Sequence, residues 1–154
     1  MSRKNCFVKI SGDMISNDNV LDWIKKLSQK YFLVVCIGGG TQINKAFTEA
    51  GLPIDEFGPL GRETATLKEK QLARDVLEKN QAKIQDRLAD LGVYASVVIP
   101  VIEIGTVLCH VNGDQFVLSA YHGFDILYVV TTKDRVEKKK TFFAPYKKIQ
   151  VIGF

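Results

Sequence analysis

The chain of 154 residues fits one domain, 1–154, and folding at this size buries roughly two-thirds of the unfolded chain's surface, enough for a real core. Apolar residues make up 46% and charged residues 25%, and no apolar run approaches the roughly 18 residues that a membrane span needs. The net charge of +4 is mild, and no nucleic-acid motif surrounds the basic residues near the carboxyl end, so neither a nucleic acid nor a membrane is expected as a partner.

In chain order, Cys6 to Ile10 reads as a short buried strand. Asn17 or Asp18 then caps a helix whose Val20, Ile24, Leu27 and Tyr31 recur at helical spacing. Phe32 to Ile37 is a continuous apolar run that ends in Gly38, Gly39 and Gly40, and Thr41 opens a helix through Ala46, Phe47 and Ala50. Gly51 to Gly61 reads as a loop from its Pro and Gly residues. Thr66 and Glu69 have capping-box spacing at the start of the longest helix, whose stripe Ala73, Val76, Leu77, Ile84, Leu88 and Leu91 stops at Gly92. Asn80 interrupts that stripe, either as a buried polar residue bound to backbone or as a site residue.

Val93 to Ile99 predicts a third strand. Ile102 to Ile104 and Val107 to Cys109 around Gly105 predict a hairpin, and Asn112 to Asp114 precedes a helix through Gly123. Ile126 to Thr131 is a further buried strand, Lys133 to Lys140 is polar and reads as a solvated loop, and Ile149 to Ile152 closes the sheet. Strands alternating with helices imply a largely parallel sheet covered on both faces. Cys6, Cys36 and Cys109 have no paired spacing and sit in apolar runs, so they are expected as free thiols in a reducing, cytoplasmic setting.

In open α/β sheets ligands bind outside the carboxyl ends of the strands, which draws attention to three clusters. In Lys9, Ile10, Ser11 and Gly12, a lysine at a strand end can reach a phosphate and a glycine admits backbone amides. Gly38, Gly39 and Gly40 run into a helix whose free amides favour anionic oxygens, although they match neither the Gly-x-Gly-x-x-Gly fingerprint nor a Walker A loop. Asn112, Gly113 and Asp114 offer either an ordinary helix cap or a carboxylate that orients a lysine. His110 and His122 could each serve as a pH-responsive acid, base or phosphate donor, although both read more readily as structural or surface residues.

Taken in order, Val8-Lys9-Ile10-Ser11-Gly12, Val35-Cys36-Ile37-Gly38-Gly39-Gly40 with Asn44, Val111-Asn112-Gly113-Asp114 and Tyr128-Val129-Val130-Thr131-Thr132 make the chain resemble the amino-acid kinase family. That family includes acetylglutamate, aspartate, uridylate and isopentenyl phosphate kinases, and Ala73, Asn80 and Leu88 agree with its long helix. The resemblance implies a three-layer α/β/α sandwich with a mainly parallel sheet that transfers the γ-phosphoryl of ATP to a carboxylate, carbamate or phosphate of a small metabolite. It implies Lys9 and Asp114 as catalytic residues, and Gly12, Gly38, Gly39, Gly40, Arg62 and Asn112 as substrate-binding ones. Thr131 and Thr132 would lie on the nucleotide side. Mg2+ would accompany ATP rather than take a dedicated protein site, and a homo-oligomer, such as a dimer through the long helices, is expected.

The likeness fades after Thr132. Where the family tends to show an Asp and a Gly-Val turn, this chain has Lys133, Asp134, Arg135 and Val136, and a second phosphate-contacting lysine is matched by location alone at Lys147 or Lys148. Two expectations follow from this. One is a small-molecule kinase with reduced nucleotide contacts. The other is a non-catalytic phosphate-binding or regulatory module that keeps the acceptor site, or an assembly subunit.

Overall fold

The computed structural model describes residues 2–154. In chain order its elements are β1 (Asn5–Ile10), α1 (Asp18–Ser28), β2 (Phe32–Ile37), α2 (Gly40–Glu49), β3 (Phe57–Gly58), β4 (Gly61–Arg62), α3 (Leu67–Asp90), β5 (Ser96–Val98), β6 (Val101–Ile104), β7 (Val107–His110), α4 (Gly113–Ala120), β8 (Ile126–Thr131), α5 (Val136–Phe143) and β9 (Ile149–Gly153), with 3-10 turns at Gly12–Met14 and Lys133–Arg135. β5, β2, β1, β8 and β9 form, in that order, one sheet in which every pairing is parallel. The layered α/β/α architecture and the parallel sheet expected from the sequence are both present.

The alternation of side chains along β1 explains how the layers form. Cys6, Val8 and Ile10 point to one face, where they join Val20, Ile24 and Leu27 of α1 and Ile84 and Leu88 of α3 in the larger core. Phe7 points to the other face, where it meets Val117 of α4, Leu127 and Val129 of β8 and Phe143 of α5. A third cluster joins Ile43 and Phe47 of α2 to Ala73 and Leu77 of α3. No helix among the described residues is long and apolar enough to cross a membrane.

The sequence's punctuation is obeyed at most boundaries. The Asn17 side chain accepts from the amides of Asn19 and Val20, and Thr66 with Glu69 makes both bonds of a capping box. Gly92 takes the positive φ of +69° that ends α3. The loop from Gly51 to Gly61 contains one half of a two-stranded ribbon, β3–β4.

The segment from Lys133 to Lys140 differs from expectation, being a 3-10 turn that continues into α5. Val136 and Phe143 lie two turns apart on one face, and Phe143 is buried under the sheet while Val136 packs beside Gly153 of β9. An apolar pair at that spacing seats the helix on the sheet, and the lysines between them conceal the pattern. Lys138 and Lys140 are exposed, but Lys139 is turned inward.

Candidate functional site

In this sheet successive strands run from β1 outward to β2 and β5, and the order then restarts on the other side with β8. Such a switch point opens a crevice at the carboxyl ends of the strands. A cavity of about 210 Å³ lies there, bounded by the end of β1, the turn between β2 and α2, the ribbon, the end of the β6–β7 hairpin, the start of α4 and the start of α5.

Lys9 reaches this cavity because of strand alternation. It shares a face with Phe7, so it projects toward α4 and α5 rather than into the larger core. Gly113 lets the side chain pass, since a Cβ there would stand 2.8 Å from Lys9 Cε. Lys9 is only 8% exposed, and its Nζ lies 3.8 Å from Asp114 Oδ1, a buried oxygen that has no hydrogen-bond partner among the described residues. Burial pushes the ammonium below the ordinary lysine range. Asp114 partly opposes that shift, and Lys139 adds to it.

Asp114 stands in the first turn of α4, where the helix dipole favours a carboxylate. It is not the cap. Asn112 is, its Oδ1 accepting from the Asp114 amide at 2.8 Å. The Asp114 carboxylate is thereby free to pair with Lys9 on one side and with Lys139 of α5 on the other. Asn112 is in turn fixed by Gly61, whose φ of +112° and close approach to Asn112 exclude a side chain.

On the opposite wall, Gly38 ends the β2 register, its amide donating to Ile10 O at 2.9 Å. Gly39 is the N-cap of α2 and has no side chain to satisfy the first-turn amides, leaving them available to an anion. The three glycines are not equivalent. A Cβ on Gly39 would lie 3.0 Å from Asn80 Nδ2 and 3.1 Å from Leu77, whereas one on Gly40 would meet nothing within 4 Å. Asn80 donates to Gly38 O at 3.1 Å, so the polar residue in the α3 stripe is the brace under the glycine turn.

The far end is built around Arg62. Its guanidinium lies 4.7 Å from the Phe57 ring centroid and 5.2 Å from that of Phe47, and donates to Asn44 Oδ1 and to Ile54 O. His110 also lines the cavity; burial, reinforced by the Arg62 charge, pushes it below the usual histidine range. His122 is exposed beside Tyr121.

Of the residues singled out in sequence, the cavity brings together Lys9, Gly38, Gly39, Gly40, Arg62, Asn112 and Asp114. Gly12 lies behind it. It is buried where a Cβ would stand 2.9 Å from Gly38 O, so it lets the first two turns touch. Thr131 and Thr132 do not line the cavity, Thr131 being a buried last residue of β8. Lys148 is committed elsewhere, donating to Tyr121 O and Phe124 O, and Lys147 is exposed. The basic groups that do arrive are Arg135 and Lys139, together with Asp13, Ser11 and Thr41. The signal in the sequence that points to Lys139 is the seven-residue spacing of Val136 and Phe143, which sets one face of α5 against the sheet.

No protein-family model matches this chain, and no curated protein matches it in sequence. The chemistry of the site therefore rests on its own residues. Four cations, Lys9, Arg62, Arg135 and Lys139, face two carboxylates, Asp13 and Asp114, an excess of two positive charges around unsatisfied helix amides. Such a site suits a multiply charged anion.

Proposed function

We propose that the cavity carries out phosphoryl transfer from ATP to a carboxylate or phosphate oxygen of a small metabolite, in the manner of the amino-acid kinases the sequence resembles. What carries the reading is the Lys9 ammonium, nearly buried and paired at 3.8 Å with an Asp114 Oδ1 that itself has no hydrogen-bond partner. A buried cation held in that state is costly unless an anion completes it.

Transfer of this kind needs positioning and charge neutralisation more than covalent help. An acceptor oxygen attacks the γ-phosphorus, the bond from phosphorus to the β–γ bridging oxygen breaks, and ADP leaves with that electron pair. A carboxylate or phosphate acceptor is already anionic, so no proton has to be removed and Asp114 need not act as a base. Its work is to hold Lys9 and Lys139 on either side of the transferring group. The amides after Gly39 receive phosphoryl oxygens, and Arg62 receives the anionic end of the acceptor. Both cavity carboxylates already have cationic partners, which suits Mg2+ carried in on the phosphate oxygens of ATP, where it would neutralise further charge.

One observation favours binding without transfer as a second reading. The apolar wall, Ile43, Phe57, Leu77, Pro100 and Val111, lies with the glycine turn and Arg62, while the β8 side contributes Arg135 and Lys139. Incubation with γ-labelled ATP, Mg2+ and a panel of carboxylates and monophosphates separates the two. Label is expected in a product with the wild type and not with Lys9→Ala. Absence of product from every acceptor, alongside thermal stabilisation by phosphorylated metabolites but not by ATP, would leave binding as the function.

A further inference from the structure

The start of α5 offers an arrangement that the proposed transfer chemistry leaves only half used. Arg135, at the N-cap of α5, and Lys139 are four residues apart and so share one face of a continuous helical turn, and both line the cavity. Each is met by a carboxylate from another element. Arg135 Nη1 is 3.5 Å from Asp13 Oδ2, while Lys139 pairs closely with Asp114. Asp13 is itself fixed, accepting from Thr41 Oγ1 at 3.2 Å and Ser11 Oγ at 3.4 Å.

The two pairs are unequal in a way that matters. At 3.5 Å, with half of its side chain exposed, Arg135 makes a loose pair rather than the two-pronged bond a guanidinium can form with a well-placed anion. Its capacity is largely unspent and it sits at the open side of the cavity. Lys139 lies deeper, next to Lys9. One turn of α5 rises about 5.4 Å along its axis, comparable to the span of a triphosphate chain.

We infer that the Arg135–Lys139 face of α5 is a polyphosphate subsite, which holds the phosphate chain of a nucleoside triphosphate along the helix with its terminal phosphate delivered to Lys9 and the amides after Gly39. Asp13 then serves as the internal counter-ion of Arg135 that an incoming phosphate replaces. This subsite rests on the phosphoryl-transfer reading for the identity of the donor, but its occupancy is measurable without any transfer.

Calorimetric titration at low ionic strength tests it, with tripolyphosphate, ATP and inorganic phosphate as separate probes. Wild type should bind tripolyphosphate more tightly than phosphate. Arg135→Gln and Lys139→Gln should each weaken tripolyphosphate by about tenfold, as expected when one charge-assisted contact is lost. Lys139→Arg should retain most of the affinity. Arg74→Gln, which breaks an exposed pair with Glu78 on α3, should leave it unchanged. Parallel losses for ATP support the nucleotide as occupant, and losses for tripolyphosphate alone overturn that source. Equal affinities across all variants overturn the subsite itself. Binding that depends on Arg135 and Lys139 without any transfer would remove the transfer reading and leave the subsite standing. Transfer with an ATP KM unchanged in both glutamine variants would do the opposite.

Discussion

The two walls of the cavity are built by different means. The β1–β2–α2 wall is made of backbone: a strand end, a glycine turn and the unsatisfied amides of a helix, braced from behind by Asn80. The β8–α5 wall is made of long side chains, Arg135 and Lys139, carried on a helix and met by carboxylates. A backbone wall needs particular small residues at particular places, whereas a side-chain wall needs only that a helix present one face. The first kind leaves a sharp mark on the sequence, and the second hides within an ordinary basic stretch.

Lys9 stands where the walls meet, and its replacement should give the largest effect. Lys9→Met is expected to lower the proposed phosphoryl transfer by about 10²–10³-fold, the usual cost of removing one preorganised electrostatic donor. The same change should raise the thermal midpoint at neutral pH, because burial outweighs the attraction of Asp114 in setting the lysine's proton affinity. A variant that loses activity and stability together would mean that Lys9 is a structural ion-pair partner rather than a charge held ready for a ligand.

Next in size is the brace. Asn80→Ala removes the donor to Gly38 O in a buried position and should cost about 1–3 kcal/mol in chemical denaturation, with phosphate binding weakened as well. Lys139→Ala should cost less stability by comparison, since its side chain keeps partial contact with water and Asp114 retains Lys9 as a partner. Equal losses from the two would erase the distinction between a backbone wall and a side-chain wall.

This contrast also explains what could be read from the chain. The parallel sheet, the capping box and the meeting of Lys9, the glycine turn and Asp114 were all legible, because each rests on local backbone rules or on strand ends. Asn80 showed itself as a polar break in an apolar stripe, without revealing that its partner is Gly38 O. Lys139 was not legible: three lysines in a row look solvated, and only Phe143 packing under the sheet decides which of them turns inward. Asn112 lines the cavity as expected, and its Oδ1 is engaged in capping α4, a competition between local and tertiary bonds that sequence alone leaves open.

The pH dependence offers a subtler separation. Lys9 is depressed in the folded chain relative to its unfolded value of 10.5. Between the depressed value and 10.5 the unfolded chain binds more protons, so stability rises with pH across that window. The stability gap between Lys9→Met and wild type should therefore narrow as pH is raised toward 10, while phosphate affinity of the wild type falls. A gap that stays constant to pH 10 would mean that the ammonium is already compensated in the folded state.

The smallest expected effect tests the glycine turn itself. Gly39 and Gly40 look interchangeable in sequence, but a Cβ on Gly39 meets Asn80 and Leu77 at 3.0–3.1 Å, while one on Gly40 meets open space. Gly40 is also the first residue of α2 and has no positive φ to lose. Gly40→Ala should leave phosphate affinity unchanged and stabilise the fold by at most about 1 kcal/mol, through a less mobile unfolded chain. Gly39→Ala should shift both in the unfavourable direction, because the Asn80 brace must move. If the two variants behave alike, the wall is held by flexibility of the whole triplet. If they differ in this sense, a single tight contact fixes where the amides point, and the remaining glycines only let the chain turn.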